Sequence, residues 1–284
     1  MFLSGVIEGF YGPPWTTAER HEAFDRMAAW GLGVYLYCPK DDLHHRAIWR
    51  QPYPEADARA MTDLVAACHA RGLRFVYGIG PGLDIRYADP TDRDHLARRA
   101  EEMFDRGVDG LALLFDDIPD RVDADALARW GSLAAAQADV ANDVFALVRA
   151  RKSDALMAFC PTPYCGRMAA AHLGGADYLA TLGAALHPDV DVFWTGPEIV
   201  SAGITVEHVR SVAAQLRRAP ILWDNLHAND YDGRRMMLGP YAGRPPSIRQ
   251  EVRGILTNPN TEFALDFMAM RTLATFLRAV DDWD

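Results

Sequence analysis

The sequence is poor in the features that mark secreted, membrane-bound or nucleic-acid-binding chains. Cysteine occurs four times, at Cys38, Cys68, Cys160 and Cys165. Their spacing forms neither a zinc pair-of-pairs nor a redox CxxC. Cys38 and Cys160 lie inside apolar runs, which predicts buried free thiols and a reducing compartment. No stretch approaches the ~20 apolar residues of a membrane span. The opening segment MFLSGVIEGF has no basic n-region, and Glu8 interrupts its apolar run. It reads as a first strand rather than a signal peptide, so a cytoplasmic location is expected.

Positive charge is also scarce. Lys and Arg total 29 against 39 Asp and Glu, a formal net charge of −10. Such a chain is a poor partner for nucleic acid or an anionic membrane, both of which select Lys/Arg fields. A neutral sugar remains open as a ligand. Low-complexity segments and Pro/Gly/Ser linkers are missing, so one domain over residues 1–284 is expected, with no second. No oligomeric state follows from these features.

What is present suits one large core. Half of the 284 residues are hydrophobic and 24% are charged. Apolar, β-rich runs alternate with segments of helical period. The predicted strands are Leu3–Phe10, Val34–Pro39, Arg74–Gly80, Gly110–Asp116, Leu156–Cys160, Val190–Thr195, Pro220–Asp224 and Gly254–Thr257. They are near-continuous apolar runs, as parallel strands buried on both faces should be.

Helices are predicted between them. Thr16 or Thr17 caps the first. Asp57–Arg71 and Arg93–Arg106 follow, the latter capped by Gly107. Asp125–Arg151, with a break, Ala169–Leu186, Val206–Arg218, roughly Ser247–Arg253 and Ala264–Ala279 complete the set. Eight strands each followed by a helix imply an α/β fold of one kind, a single (β/α)8 TIM barrel. The long connections Lys40–Glu55, Pro81–Pro90 and His227–Pro246 all follow strands. They therefore fall on the C-terminal face, where barrel active sites lie.

Polar and aromatic residues stand at the strand ends on that face. Gly9 and Tyr11 follow the first strand; Lys40, Asp41 and Asp42 the second. Asp116 and Asp117 end the fourth, Tyr164 follows the fifth, and Trp194 is on the sixth. Trp223, Asp224 and Asn225 end the seventh, with Asp230 shortly after, and Asn258 ends the eighth. Such convergence describes a pocket for a small polar ligand. Each has a plainer reading too: Lys and Asn as solvated or capping residues, Trp194 and Trp223 as core. His227 beside Asp230 and Asp232 suggests a metal, but no HxH or HExxH spacing supports one.

Asp116 and Asp117 stand out. The run LALLFDDIP sets two carboxylates directly after five apolar residues. Burying a carboxylate is costly unless it is paired or used. Adjacent anions are expected to push one pKa upward, leaving one charged and one protonated near neutral pH. That division suits a general acid beside an ionised partner. The alternative is that one merely caps the next helix.

The ordered motifs GVIEGFYGPPW (5–15), YLYCPKDDLHHR (35–46), GPGLDI (80–85), LLFDDIP (113–119), FCPTPYCG (159–166), FWTGPEIV (193–200), ILWDNLHANDYD (221–232), LGPYAGR (238–244) and ILTNPNTEF (255–263) resemble glycoside hydrolase family 84. This family comprises the O-GlcNAcases and bacterial β-N-acetylglucosaminidases. The resemblance runs from residue 3 to about residue 278. It implies that Asp116 holds the substrate's acetamido N–H and that Asp117 is the general acid/base. It implies further that Gly9, Lys40, Asn225, Asp230 and Asn258 hydrogen-bond the sugar. Tyr164 and Trp223 would be aromatic walls of the acetamido pocket and Cys160 a small residue lining it. Apart from the resemblance, Tyr11 after the first strand is expected to be a further substrate contact. The sequence lacks the C-terminal helical stalk, acetyltransferase-like domain and carbohydrate-binding modules of larger members.

Adjacent carboxylates fit this chemistry. Two-carboxylate glycosidases flank the bond with groups about 5–5.5 Å apart when retaining and about 6.5–9.5 Å apart when inverting. Neighbouring residues at one strand end cannot readily do this. Substrate assistance removes the need, because the 2-acetamido oxygen attacks C1 and forms an oxazoline. The expected activity is retaining hydrolysis of terminal β-linked GlcNAc from a glycoside or an O-GlcNAc-modified protein, with no cofactor and no metal. Two alternatives stand beside it. One is a metal-dependent hydrolase or deacetylase using Asp116, Asp117, His227 and Asp230. The other is a non-catalytic GlcNAc-binding module keeping Asn225, Asp230 and the Trp walls.

Overall fold

The computed structural model describes residues 2–279; Met1 and residues 280–284 of the expected 1–284 domain lie outside the described residues. The chain opens with strand β1 (Leu3–Glu8) and helix α1 (Thr17–Trp30), then β2 (Val34–Tyr37), α2 (Glu55–His69), β3 (Arg74–Ile79) and α3 (Pro90–Asp105). β4 (Gly110–Leu114) is followed by two helices, α4 (Ala124–Trp130) and α5 (Leu133–Arg151). β5 (Leu156–Cys160), α6 (Gly166–Ala170), α7 (Tyr178–Ala185), β6 (Asp191–Trp194) and α8 (Val206–Leu216) come next. β7 (Ile221–Asp224), β8 (Gly254–Thr257) and α9 (Asp266–Phe276) complete the order. The strands close into one barrel in sequence order, every pairing parallel, with β8 returning to β1. The fold is a (β/α)8 TIM barrel.

Alternation along the strands builds two cores. Inward residues such as Ile7, Leu36, Leu114, Phe193, Ile221 and Leu256 fill the barrel. Outward neighbours such as Val6, Tyr35, Leu113, Trp194, Leu222 and Ile255 pack beneath the helices. Both faces are apolar, which is why the strands read as unbroken runs. Period two also dictates the barrel mouth. Two residues beyond inward Ile7, Cys38, Leu114, Trp223 and Leu256 stand Gly9, Lys40, Asp116, Asn225 and Asn258. All five line one cleft.

Local signals set the helix ends. Thr16 caps α1 and forms a capping box with Glu19, a feature typically worth ~1 kcal/mol. The break within 125–151 falls at Gly131, the left-handed C-cap of α4, and Ser132, whose side chain caps α5. Three helix expectations are corrected. The predicted 169–186 helix is two pieces, because Gly174 and Gly175 take φ of 75° and 117° and interrupt it. The predicted 247–253 helix is a 3₁₀ turn, Pro246–Gln250, so β7 has no α-helix after it. Residues 251–253 alone separate this turn from β8, which leaves no length for a further helical turn. The last helix opens as a 3₁₀ turn, Phe263–Leu265, before α9. Gly107 ends α3 as expected: it takes φ 94°, and its amide and that of Val108 bond back to the Phe104 and Met103 carbonyls.

Two buried ion pairs fix loops to the barrel's outer face. Glu8, fully buried, accepts from Arg20 and from the Trp15 amide, which ties β1 to α1. Asp224 accepts two guanidinium bonds from Arg244, each 2.8 Å, and one from the Tyr241 hydroxyl at 2.7 Å. Arg244 also reaches the Ser201 and Ala202 carbonyls, so it ties the β6–α8 and β7–β8 loops together.

Candidate active site

The C-terminal mouth of the barrel opens into a cleft of about 550 Å³. Asp116, Asp117, Gly9, Tyr11, Lys40, Cys160, Tyr164, Trp223, Asn225, Asp230 and Asn258, the whole set expected from the sequence, line it.

Asp116 and Asp117 have different partners. Asp116 sits at the floor, where Lys40 Nζ donates to its Oδ2. Its Oδ1 is buried and has no hydrogen-bond partner. Burial pushes the Asp116 carboxyl up, but the Lys40 ammonium outweighs this and the net shift is downward. Burial likewise pulls Lys40 down, and Asp116 outweighs it, so the net shift of the ammonium is upward. The pair is ionised at neutral pH. The upward push expected from an adjacent anion is therefore not what governs Asp116: the salt bridge is.

Asp117 lies on the exposed side of the cleft. Its Oδ1 accepts from the Tyr164 hydroxyl at 2.7 Å and its Oδ2 from the Tyr11 hydroxyl at 2.9 Å. Burial, and then the Asp117 charge, push both phenols upward. They remain protonated donors through the neutral range. Asp117 also adopts a left-handed backbone, φ 50°. This conformation costs an ordinary residue ~1–2 kcal/mol, though Asp and Asn tolerate it best. An extended backbone would send the Asp117 side chain to the face opposite Asp116; at this φ both side chains line the cleft. Neither residue caps a helix; Asp123 caps α4.

The remaining wall is a polar relay. The Trp223 indole donates to Asn225 Oδ1 at 3.1 Å, and Asn258 Nδ2 donates to the same oxygen at 2.9 Å. Asn258 Oδ1 accepts from the Gly9 amide at 3.3 Å. Asp230 accepts the Tyr11 amide at 2.9 Å, joining the loops after β7 and β1. Gly9 has a packing reason: a Cβ there would stand 2.6 Å from the Trp223 ring. Burial, then the Asp116 charge, push the Cys160 thiol well above its ordinary value. Cys160 lines the cleft as a neutral group rather than a thiolate.

Other rim expectations are corrected. Trp194 points outward into the helix layer and donates to His208 Nε2 at 2.9 Å. Asp42 accepts from the Tyr37 and Tyr53 hydroxyls, and Asp224 holds Arg244; neither lines the cleft. His227 contacts the Gly239 carbonyl through Nε2. Among the described residues no group of three or more His, Cys, Asp or Glu converges to hold a metal ion. The sequence alone assigns no role to the cleft residues Arg167, Thr195, Glu198, Ile199, Ala228 and Tyr231. Arg167 lies in α6 after β5, and the others follow β6 and β7; Arg167 and Glu198 form an ion pair that no spacing in the sequence reveals. Position after a strand end is the one signal that points to them.

Comparison with known proteins agrees with this geometry. Residues 4–284 match the family described as β-N-acetylglucosaminidase. The protein O-GlcNAcases of Mus musculus and Rattus norvegicus are each 41% identical over 278 residues, which is 98% of this chain and 30% of theirs. The chain thus spans under a third of the curated relatives it matches. A mutant form of the Thermobaculum terrenum O-GlcNAc hydrolase is 34% identical in sequence and superposes with a TM-score of 0.91, covering 98% of this chain and 59% of that one.

Proposed function

The chain belongs to the β-N-acetylglucosaminidase family, and from that premise we propose that it is a retaining glycoside hydrolase that removes terminal β-linked GlcNAc by substrate assistance. The observation that carries this reading is the unequal treatment of two adjacent carboxylates. Asp116 has one oxygen on Lys40 and one buried acceptor left open, the arrangement that an amide N–H would complete. Asp117 faces the open cleft between two phenols.

The acetamido carbonyl oxygen attacks C1 as the C1–O bond to the aglycone breaks. Asp117 gives its proton to the departing oxygen. Asp116 accepts the amide N–H and balances the positive charge that grows on the forming oxazoline. Water then adds at C1 as the oxazoline C1–O bond breaks and the acetamide is restored, and Asp117 takes the water's proton, so two inversions give net retention. Lys40 keeps Asp116 ionised and aimed. Trp223, Tyr164 and Cys160 enclose the acetyl methyl, while Gly9, Asn225, Asp230 and Asn258 bond the ring hydroxyls.

We further propose that this barrel is the catalytic unit of residues 1–284 and that its aglycone includes Ser or Thr of O-GlcNAc-modified proteins. The relatives named for that substrate support this. Four free, buried thiols fit a reducing, cytoplasmic setting. No described helix is long and apolar enough to cross a membrane.

The test offers the purified chain an O-GlcNAc-modified protein and a chito-oligosaccharide. Release of GlcNAc from the protein supports the full reading. Release from the oligosaccharide alone keeps the sugar and moves the aglycone. Release from neither, at high enzyme concentration, overturns the activity.

A further inference from the structure

We infer that Arg46 is a positioning residue for Asp117, acting from outside the cleft lining. The inference rests on the acid/base reading of Asp117 given above. Arg46 Nη2 donates to the Asp117 carbonyl at 2.8 Å, and Nη1 reaches the Tyr11 hydroxyl at 3.3 Å. Its guanidinium carbon stands 5.8 Å from the centre of the Tyr11 ring. The Tyr11 hydroxyl in turn donates to Asp117 Oδ2. One planar group thus holds both the backbone of Asp117 and a phenol that orients its carboxyl.

The backbone contact matters because Asp117 is left-handed, at φ 50°. A non-glycine residue keeps such a conformation only where its surroundings over-determine it. The Asp117 carbonyl lies past the end of β4, beyond the strand ladder. The Arg46 bond fixes the direction of that peptide, and with it the direction of the side chain.

Arg46 is itself held. The Gly80 amide donates to the His45 carbonyl at 2.9 Å, and the His45 ring contacts the Gly78 carbonyl at 2.9 Å. His45 is fully buried, and burial first, then the Lys40 charge, pull its pKa down to about 4. It is a neutral anchor that fastens the β2–α2 loop to β3. The same loop begins with Lys40, the partner of Asp116. One segment therefore orients both carboxylates, Asp116 through Lys40 at its start and Asp117 through Arg46 six residues later. A lysine at position 46 would bring one ammonium to one acceptor, where the guanidinium fork spans two.

The experiment compares Arg46→Met, Arg46→Lys, Asp117→Asn and the double variant Arg46→Met/Asp117→Asn. Two aryl β-N-acetylglucosaminides are used, one with a poor and one with an activated leaving group. Misplacing a catalytic group by about 1 Å can cost about 10²-fold. Arg46→Met is expected to lower kcat/KM about 10- to 100-fold on the poor leaving group and less than about threefold on the activated one. Arg46→Lys should fall between wild type and Arg46→Met. The double variant should lose no more than Asp117→Asn alone, because Arg46 acts through that carboxyl. If Arg46→Met does not fold, selective loss in Arg46→Lys on the poor leaving group supports the inference in its place. Equal loss on both substrates, or losses that multiply in the double variant, overturns the inference while the Asp117 reading stands. Asp117→Asn showing no leaving-group selectivity overturns that reading and this inference with it.

Discussion

The Tyr164 hydroxyl, presented by the loop after β5, donates to Asp117 Oδ1 at 2.7 Å, across from the Tyr11 hydroxyl on Oδ2. One step back in the chain, Asp116 has no phenol partner and is paired with Lys40. Adjacent residues at one strand end thus enter separate hydrogen-bond systems. Both side chains still line one cleft, although neighbours on an extended strand point to opposite faces. This is how two carboxyl groups at one strand end can take two roles.

The first expected outcome concerns Asp117. Asp117→Asn keeps a residue type that tolerates the left-handed backbone, so the fold should survive. A positioned proton donor is worth about 10²–10⁴-fold. Loss of that size is expected on substrates with poor leaving groups, and much less on activated aryl glycosides. Steady-state kinetics beside a thermal melt check this. Equal losses with an unchanged melt would remove Asp117 from the acid's role.

The second concerns the Lys40–Asp116 pair, whose side chains are only 4% and 11% exposed. Lys40→Met leaves a buried carboxylate uncompensated, which typically costs about 3–5 kcal/mol. The double variant Lys40→Met/Asp116→Asn should be destabilised less than Lys40→Met alone. Urea unfolding measures the cycle, and simple additivity of the single costs would show the pair to be uncoupled. Because the net shift of Asp116 is downward, the pair's stabilisation is present at neutral pH and fades as the solution is made strongly acid.

The third concerns Asp266, the first residue of α9. Its Oδ1 accepts the Asn260 amide at 2.9 Å, while its buried Oδ2 has no partner. Burial raises its pKa to about 8. A raised folded value means that the stabilisation is fully present below the ordinary carboxylate range and is lost as pH climbs through about 8. The slope is at most ~1.4 kcal/mol per pH unit for one proton. Asp266→Asn should flatten the decline in Tm between pH 5 and pH 9 (about the span to survey). An unchanged slope would place the pH sensitivity elsewhere.

Much of this was legible in the sequence. Eight apolar runs located every strand, and the polar residues at their ends named the groups of the mouth. Local chemistry misled where one residue has two readings. Trp194 stands at a strand end like Trp223, yet strand parity turns it outward to His208. Gly174 and Gly175 broke a helix that composition alone would continue. Arg46 sits inside a motif read from the sequence, but its contact is to a backbone carbonyl 71 residues away. No spacing rule reveals such a bond. The different hydrogen-bond environments of Asp116 and Asp117 were equally hidden, because Lys40, Tyr11 and Tyr164 reach them from other loops.

The most direct measurement of the central claim removes the nucleophile from the substrate. An aryl β-N-acetylglucosaminide and the aryl β-glucoside with the same leaving group are compared on the wild-type protein. The glucoside lacks the acetamido oxygen, and no carboxylate is assigned in its place. The account predicts turnover of the first and none of the second above background, with rates on N-fluoroacetyl analogues falling as each fluorine weakens the carbonyl oxygen. Comparable cleavage of the glucoside, or a sugar ester trapped on an Asp or Glu side chain, would contradict it.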